Sequence, residues 1–144
     1  VWMATLFDET EHVERKFAFD VPPEVLAATS AGDGAGTAAG EGGPRKQLEM
    51  SLLGWEKVGG DIVWRGARLL AGELARQAAS LRGRSVLELG AGSGLLGTLA
   101  AHLGAHAVIS DGDEAELPTL QENAARFTDT LALGGSVAAA FLEW

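Results

Sequence analysis

Apolar residues alternate with polar ones in short stretches early in the chain, then recur at helical spacing in longer stretches, and these two periods predict the elements. VWMATLF (residues 1–7) and VERKFAFDV (13–21) have the aromatic and β-branched content of strands; the acidic turn DETEH between them predicts a hairpin. LEMSLL (48–53) returns to strand-like alternation before Gly54, and Gly59 with Gly60 breaks the chain again. From Trp64 to Leu81, Ala67, Leu70, Ala71, Leu74 and Ala78 keep helical spacing, Leu69 broadens the stripe, and Arg65, Arg68, Glu73 and Arg76 are left for a solvated face.

Beyond that helix the two periods take turns. A strand is predicted over 85–89, a helix from about Ser93 to Leu103 closed by Gly104, a strand over 106–110, a helix from about Glu116 to Phe127 and a strand over 136–142. Pro118 suits the first turn of its helix, where a missing N–H costs nothing. Such alternation predicts an α/β fold, a Rossmann-like parallel sheet with flanking helices, right-handed crossovers and a ligand at its carboxyl edge. Residues 58–144 are expected to form this unit, and residues 1–57 a strand-rich, hairpin-like extension. Within the extension, AATSAGDGAGTAAGEGG (27–43) offers little to bury and is costly to order, which predicts a flexible surface loop.

Composition narrows the chemistry. With 144 residues, 47% of them hydrophobic, and no run long enough to span a bilayer, a soluble globular domain with a buried core is expected. Cysteine is absent and His12, His102 and His106 are scattered, so neither a disulfide framework nor a zinc or iron site is expected; His102 and His106 read as structural. The formal net charge is −9, with no lysine beyond Lys57, a surface that would repel nucleic acid and acidic membranes. No basic start followed by an apolar stretch and a cleavage site opens the chain, so an intracellular location, cytoplasmic or nuclear, is expected. Val1 in place of methionine suggests that residues before it have been left out or removed.

The most informative run is SVLELGAGSGLLG (85–97): a short apolar strand leads directly into Gly90, Ala91, Gly92 and Gly94 and then a helix. Glycines at these positions can take positive φ and let a bulky ligand approach the backbone. Glu88, two residues before the first, can accept hydrogen bonds from ammonium or hydroxyl groups and would repel a pyrophosphate. Asp111 follows the strand-like HAVIS (106–110), where an acid at a second strand end would receive ribose hydroxyls. A dinucleotide fingerprint counted from Gly90 needs glycine at position 95, which is Leu95; a phosphate loop needs lysine after Gly97, which is followed by Thr98. Both phosphate readings are weakened, though a slipped register leaves a nicotinamide or flavin site open. The plain alternative, that the glycines only turn a strand into a helix, stays open as well.

The order DIVWRGARLLAGEL (61–74), SVLELGAGSGLLG, HAVISD (106–111), ELPTLQENAARF (116–127) and FLEW (141–144) resembles the seven-β-strand S-adenosylmethionine-dependent methyltransferases, and within them the methyltransferase-like family 16 group, many of which methylate protein lysines. The resemblance covers roughly residues 58–144 and implies a partial class I methyltransferase fold. It implies S-adenosylmethionine held by Trp64, Glu88, Gly90, Ala91, Gly92, Gly94, Asp111 and Trp144, with the two indoles against the cofactor and Trp144 near its adenine. Filling the core is the plainer reading of both tryptophans, and Trp2 and Trp55 are expected to do only that. The resemblance further implies a protein substrate with a lysine acceptor, and an acid and aromatic acceptor motif after a fourth strand. The sequence ends at Trp144, so catalytic residues are expected beyond it and the segment alone is expected to be inactive, apparently truncated after the third core strand. A noncatalytic cofactor-binding or interaction module, small-molecule or histidine acceptors and, less favoured, a nucleotide-dependent oxidoreductase stay open.

Overall fold

A computed structural model describes residues 12–21, 46–55, 63–128, 131 and 133–144. Its elements are β1 (His12–Val21), β2 (Lys46–Trp55), α1 (Arg65–Arg76), α2 (Ala78–Leu81), β3 (Ser85–Leu89), α3 (Leu95–His102), β4 (His106–Asp111), a 3-10 turn (Glu114–Glu116), α4 (Leu117–Phe127) and β5 (Ser136–Phe141). Strands β3, β4 and β5 form a parallel sheet in that order, with Leu89 opposite Ser110 and Asp111 opposite Phe141. The chain thus has the α/β architecture expected, a parallel sheet with flanking helices that fits part of a Rossmann-like fold.

Strands β1 and β2 make an antiparallel ribbon, from His12 opposite Trp55 to Val21 opposite Lys46. The second arm of the hairpin expected between residues 1–7 and 13–21 is β1, whereas its first arm lies outside the described residues, as do the loop expected at 27–43 and the side chains of Trp2 and Trp55. Leu52 of β2 is fully buried in one core cluster with Val63, Ala71, Ala75, Ala78, Leu95, Leu99, Leu103 and Phe127, and Phe17 and Phe19 pack against it. Each fully buried leucine here contributes about 2 kcal/mol from area alone. A second cluster joins Ala91, Ile109, Leu120 and Ala124, with Val137 and Ala139 against them.

The helix expected from 64 to 81 is two. At Gln77 the backbone leaves the helical region and its N–H is shared between the Glu73 and Leu74 carbonyls, which tightens the turn and ends α1. Neither Leu69 nor Leu70 joins the core; both are exposed, and α1 buries its alanines Ala71 and Ala75 instead. Among the described residues no helix is long and apolar enough to cross a membrane.

Strand alternation gives the sheet two unlike faces. Glu88, Ala107, Ile109, Val137 and Ala139 lie on the face covered by α3 and α4, whereas Leu87 and Val108 of the opposite face are exposed. Gly97 lets α3 come close, because a Cβ there would collide with Ile109 Cγ2. The covered face leads up to the carboxyl edge, where the glycine turn stands.

Candidate functional site

Gly90, Gly92 and Gly94 have φ of 63°, 53° and 76°, the left-handed region that a side chain makes costly, so the turn after β3 needs glycine at each. Gly94 caps α3, and a Cβ on it would stand 2.7 Å from Ile109 Cδ1. Ala91 is buried; its N–H donates to the Ser110 carbonyl at 2.9 Å and its carbonyl accepts from Gly94 N–H at 2.8 Å. The turn is thereby pinned to the end of β4, leaving bare backbone at Gly90 facing the rim.

The two acids bracket the turn but hold different partners. Asp111 closes β4, and its carboxylate accepts Gly92 N–H on Oδ2 at 2.9 Å and Asp113 N–H on Oδ1 at 3.0 Å. Each oxygen retains a lone pair, so a fixed pair of acceptors faces the edge of the sheet. Glu88 lies deeper, half-buried, and its Oε2 accepts Gly97 N–H from the first turn of α3 at 2.8 Å. Burial above all, with the negative charge of Asp111 adding, pushes the Glu88 carboxyl up to about 7, while hydrogen bonds from the Gly97 and Leu96 N–H groups work against that rise. One Glu88 oxygen thus holds the helix N-terminus. Asp113 in turn caps the following 3-10 turn by accepting Ala115 N–H at 3.0 Å, which gives the acidic DGDE segment a local structural job.

Neither tryptophan singled out in the sequence fills the core. Trp144 is 70% exposed, and its ring stands over the turn, with Cη2 and Cζ2 3.8 Å from where a Gly90 Cβ would be and Cζ3 3.8 Å from that of Gly112. Trp64, just before α1, is 84% exposed. Gly90, Ala91, Gly92, Gly94, Asp111 and Trp144 are therefore brought together at one rim, Glu88 lies beneath it, and Trp64 belongs to another element. His102 is buried, its Nδ1 within 2.9 Å of the Thr98 carbonyl and its ring edge-on to Phe127; burial pushes its pKa down. His106 Nδ1 lies 3.0 Å from Ser136 Oγ.

Asn123 escaped the sequence reading. It is fully buried on α4, and its carboxamide joins Leu53 of β2 to Ser93 of the glycine turn. The signal was an amide on the apolar stripe Leu120, Asn123, Ala124 and Phe127.

Comparison with known proteins bears on this geometry. A family model described as "Lysine methyltransferase" matches residues 45–144, so it takes in β2 as well as everything from α1 onward. The chain is similar to the Protein N-lysine methyltransferase METTL21A of Mus musculus, 47% identical over 58 residues, which is 40% of this chain and 27% of the relative. It is similar to the Protein N-terminal and lysine N-methyltransferase EFM7 of Gibberella zeae, 36% identical over 64 residues, 44% of this chain and 24% of the relative. It is similar too to the Ribosomal protein L11 methyltransferase of Sorangium cellulosum, 49% identical over 59 residues, 40% of this chain and 19% of the relative. The chain thus spans about a quarter or less of the length of the curated relatives it matches.

Proposed function

The chain belongs to the lysine methyltransferase family, and on that premise we propose that it takes part in transfer of a methyl group from S-adenosylmethionine to a lysine side chain of a protein substrate. Family membership implies a methyl donor, and the rim of the sheet supports S-adenosylmethionine as that donor. The observation that carries the reading is the Asp111 carboxylate, held by two backbone N–H groups beside the glycine turn, with the Trp144 indole over Gly90 and Gly112. Its remaining lone pairs suit the vicinal hydroxyls of a ribose, and the indole offers a flat face for a purine. Gly90 and Gly92 would present main chain to the ligand, while buried Ala91 and Gly94 would hold the turn from beneath. Glu88 would act through α3, and Trp64 would close over the ligand from the start of α1.

When bound, S-adenosylmethionine supplies a methyl group on a sulfonium sulfur, suited to in-line transfer to a neutral amine. The chain's own residues orient that group. Asp111 fixes the sugar, Trp144 excludes water from one side, and the Gly97 N–H bond keeps Glu88 and the helix N-terminus in place beneath it. The net charge of −9 leaves nucleic acid and anionic membranes outside the proposed partners, and an intracellular location is part of the proposal.

Isothermal titration of the folded protein with S-adenosylhomocysteine tests this reading. Saturable binding that Asp111→Ala abolishes and Asp111→Asn weakens is expected, since asparagine keeps one acceptor oxygen. A folded protein that binds no S-adenosylhomocysteine would overturn it.

A further inference from the structure

The buried Asn123 carboxamide makes three hydrogen bonds that tie α4 to β2 and to the glycine turn. Its Oδ1 accepts Leu53 N–H at 2.8 Å, and its Nδ2 donates to the Leu53 and Ser93 carbonyls, both at 2.8 Å. A residue's N–H and C=O leave a strand on the same side, so Asn123 takes the place of a neighbouring strand at the edge of β2 that faces away from β1. Ser93 sits between Gly92, whose N–H is bound by Asp111, and Gly94, which caps α3. One amide therefore links the β1–β2 ribbon to the turn whose conformation the ligand would read.

We propose that Asn123 is a positioning residue that couples the glycine turn to the β1–β2 ribbon, so that filling the turn and docking the ribbon favour each other. This rests on the reading of the turn as the S-adenosylmethionine site. The turn is flanked by positive-φ glycines with several accessible conformations, and the amide holds the Ser93 carbonyl in one of them. If Asn123 releases it, the Ser93 carbonyl and both Leu53 groups lose partners in a part-buried joint, a state costly enough to be rare. A ligand that holds the turn in the same conformation disfavours that state further, and coupling between two sites is reciprocal. Another tie from α4 to the ribbon, Arg126 Nη1 to Glu14 Oε1 at 3.0 Å, is exposed and reaches no part of the turn.

Hydrogen exchange of residues 46–55, with and without saturating S-adenosylhomocysteine, tests the coupling in the wild-type protein without any substitution. Exchange at the Leu53 amide is expected to slow by roughly 5- to 30-fold on binding, the effect of one or two buried hydrogen bonds. Asn123→Asp keeps the acceptor and loses both donors, so its ribbon should no longer respond and its affinity for S-adenosylhomocysteine should fall by a similar factor. Arg126→Ala should leave the response intact. Binding by the wild type with unchanged exchange at Leu53 overturns the coupling, as does a folded Asn123→Asp protein with the wild-type response; should that variant fail to fold, the wild-type measurement decides. A folded wild type that binds no S-adenosylhomocysteine overturns the functional reading, and the coupling falls with it.

Discussion

Replacing Glu88 with glutamine is expected to remove a loss of stability that the wild-type protein suffers between about pH 4.5 and about pH 7. The Glu88 carboxyl is half-buried on the helix-covered face of the sheet; burial first, then the charge of Asp111, raises its pKa from 4.5 to about 7 against the pull of the Gly97 and Leu96 N–H groups. Between those values the folded protein holds this proton more than the unfolded chain does. Stability therefore falls as pH rises through the window, and the stabilising contribution is fully present only below it. At up to about 1.4 kcal/mol for each pH unit, about 3 kcal/mol is lost across the window. His102 pulls the other way, because burial keeps its ring neutral and adds stability as pH climbs towards 6.5. The difference between wild type and Glu88→Gln isolates the carboxyl, since the variant retains His102 and an oxygen able to accept Gly97 N–H. In thermal melts at about pH 5 and about pH 8, the midpoint of the variant should gain about 10 °C on that of the wild type between the two conditions. Parallel pH profiles for the two proteins would refute the assignment.

Gly97→Ala should destabilise by roughly 1–3 kcal/mol in urea titrations, because its Cβ would collide with Ile109 Cγ2 and lie 3.0 Å from Glu88 Oε2. Gly72→Ala, also within a helix but with nothing within 4 Å of its Cβ, should instead stabilise by about 0.5–1 kcal/mol, and the opposite signs separate close packing from helix propensity. Trp144→Ala should change stability by less than about 0.5 kcal/mol, the side chain being 70% exposed, yet weaken S-adenosylhomocysteine binding by roughly tenfold. Equal affinity measured by titration would remove the indole from the site.

The elements from β3 to β5 were legible in the sequence because each is announced locally: a strand into glycines at 85–94, an acid at the end of HAVISD, a proline in the first turn of α4. The partner of β1 was not, because a ribbon whose arms are Val21 and Lys46 at their nearest pairing depends on contacts far apart in sequence, while DETEH is only a local turn signal. Gln77 breaks a helix with neither glycine nor proline to mark it. Helical spacing placed Leu69 and Leu70 on the apolar stripe, and only the arrangement of neighbouring elements decides that they face outward. In the site, the glycine turn and both acids were readable from spacing. The division of labour between the acids was not, nor was the exposure of Trp64 and Trp144, since these depend on where α1, α3 and β5 come to rest.

That division follows from the register of the sheet. Glu88 pairs with Ile109, so Asp111 shares the helix-covered face with Glu88 on the neighbouring strand but lies two residues nearer the carboxyl edge, about 7 Å along the strand. At Glu88's depth α3 overhangs the sheet and its first turn supplies Gly97 N–H; two residues further, α3 has ended and the glycine turn supplies Gly92 N–H. The deeper acid is thus dehydrated and half-protonated near pH 7, whereas the outer one keeps lone pairs directed at the rim. A ligand entering from the carboxyl edge meets Asp111 first. A cationic group placed over the turn would draw the Glu88 proton off and strengthen the attraction. The two acids therefore form a graded pair, with the outer one suited to hydrogen-bond recognition and the inner one to matching charge.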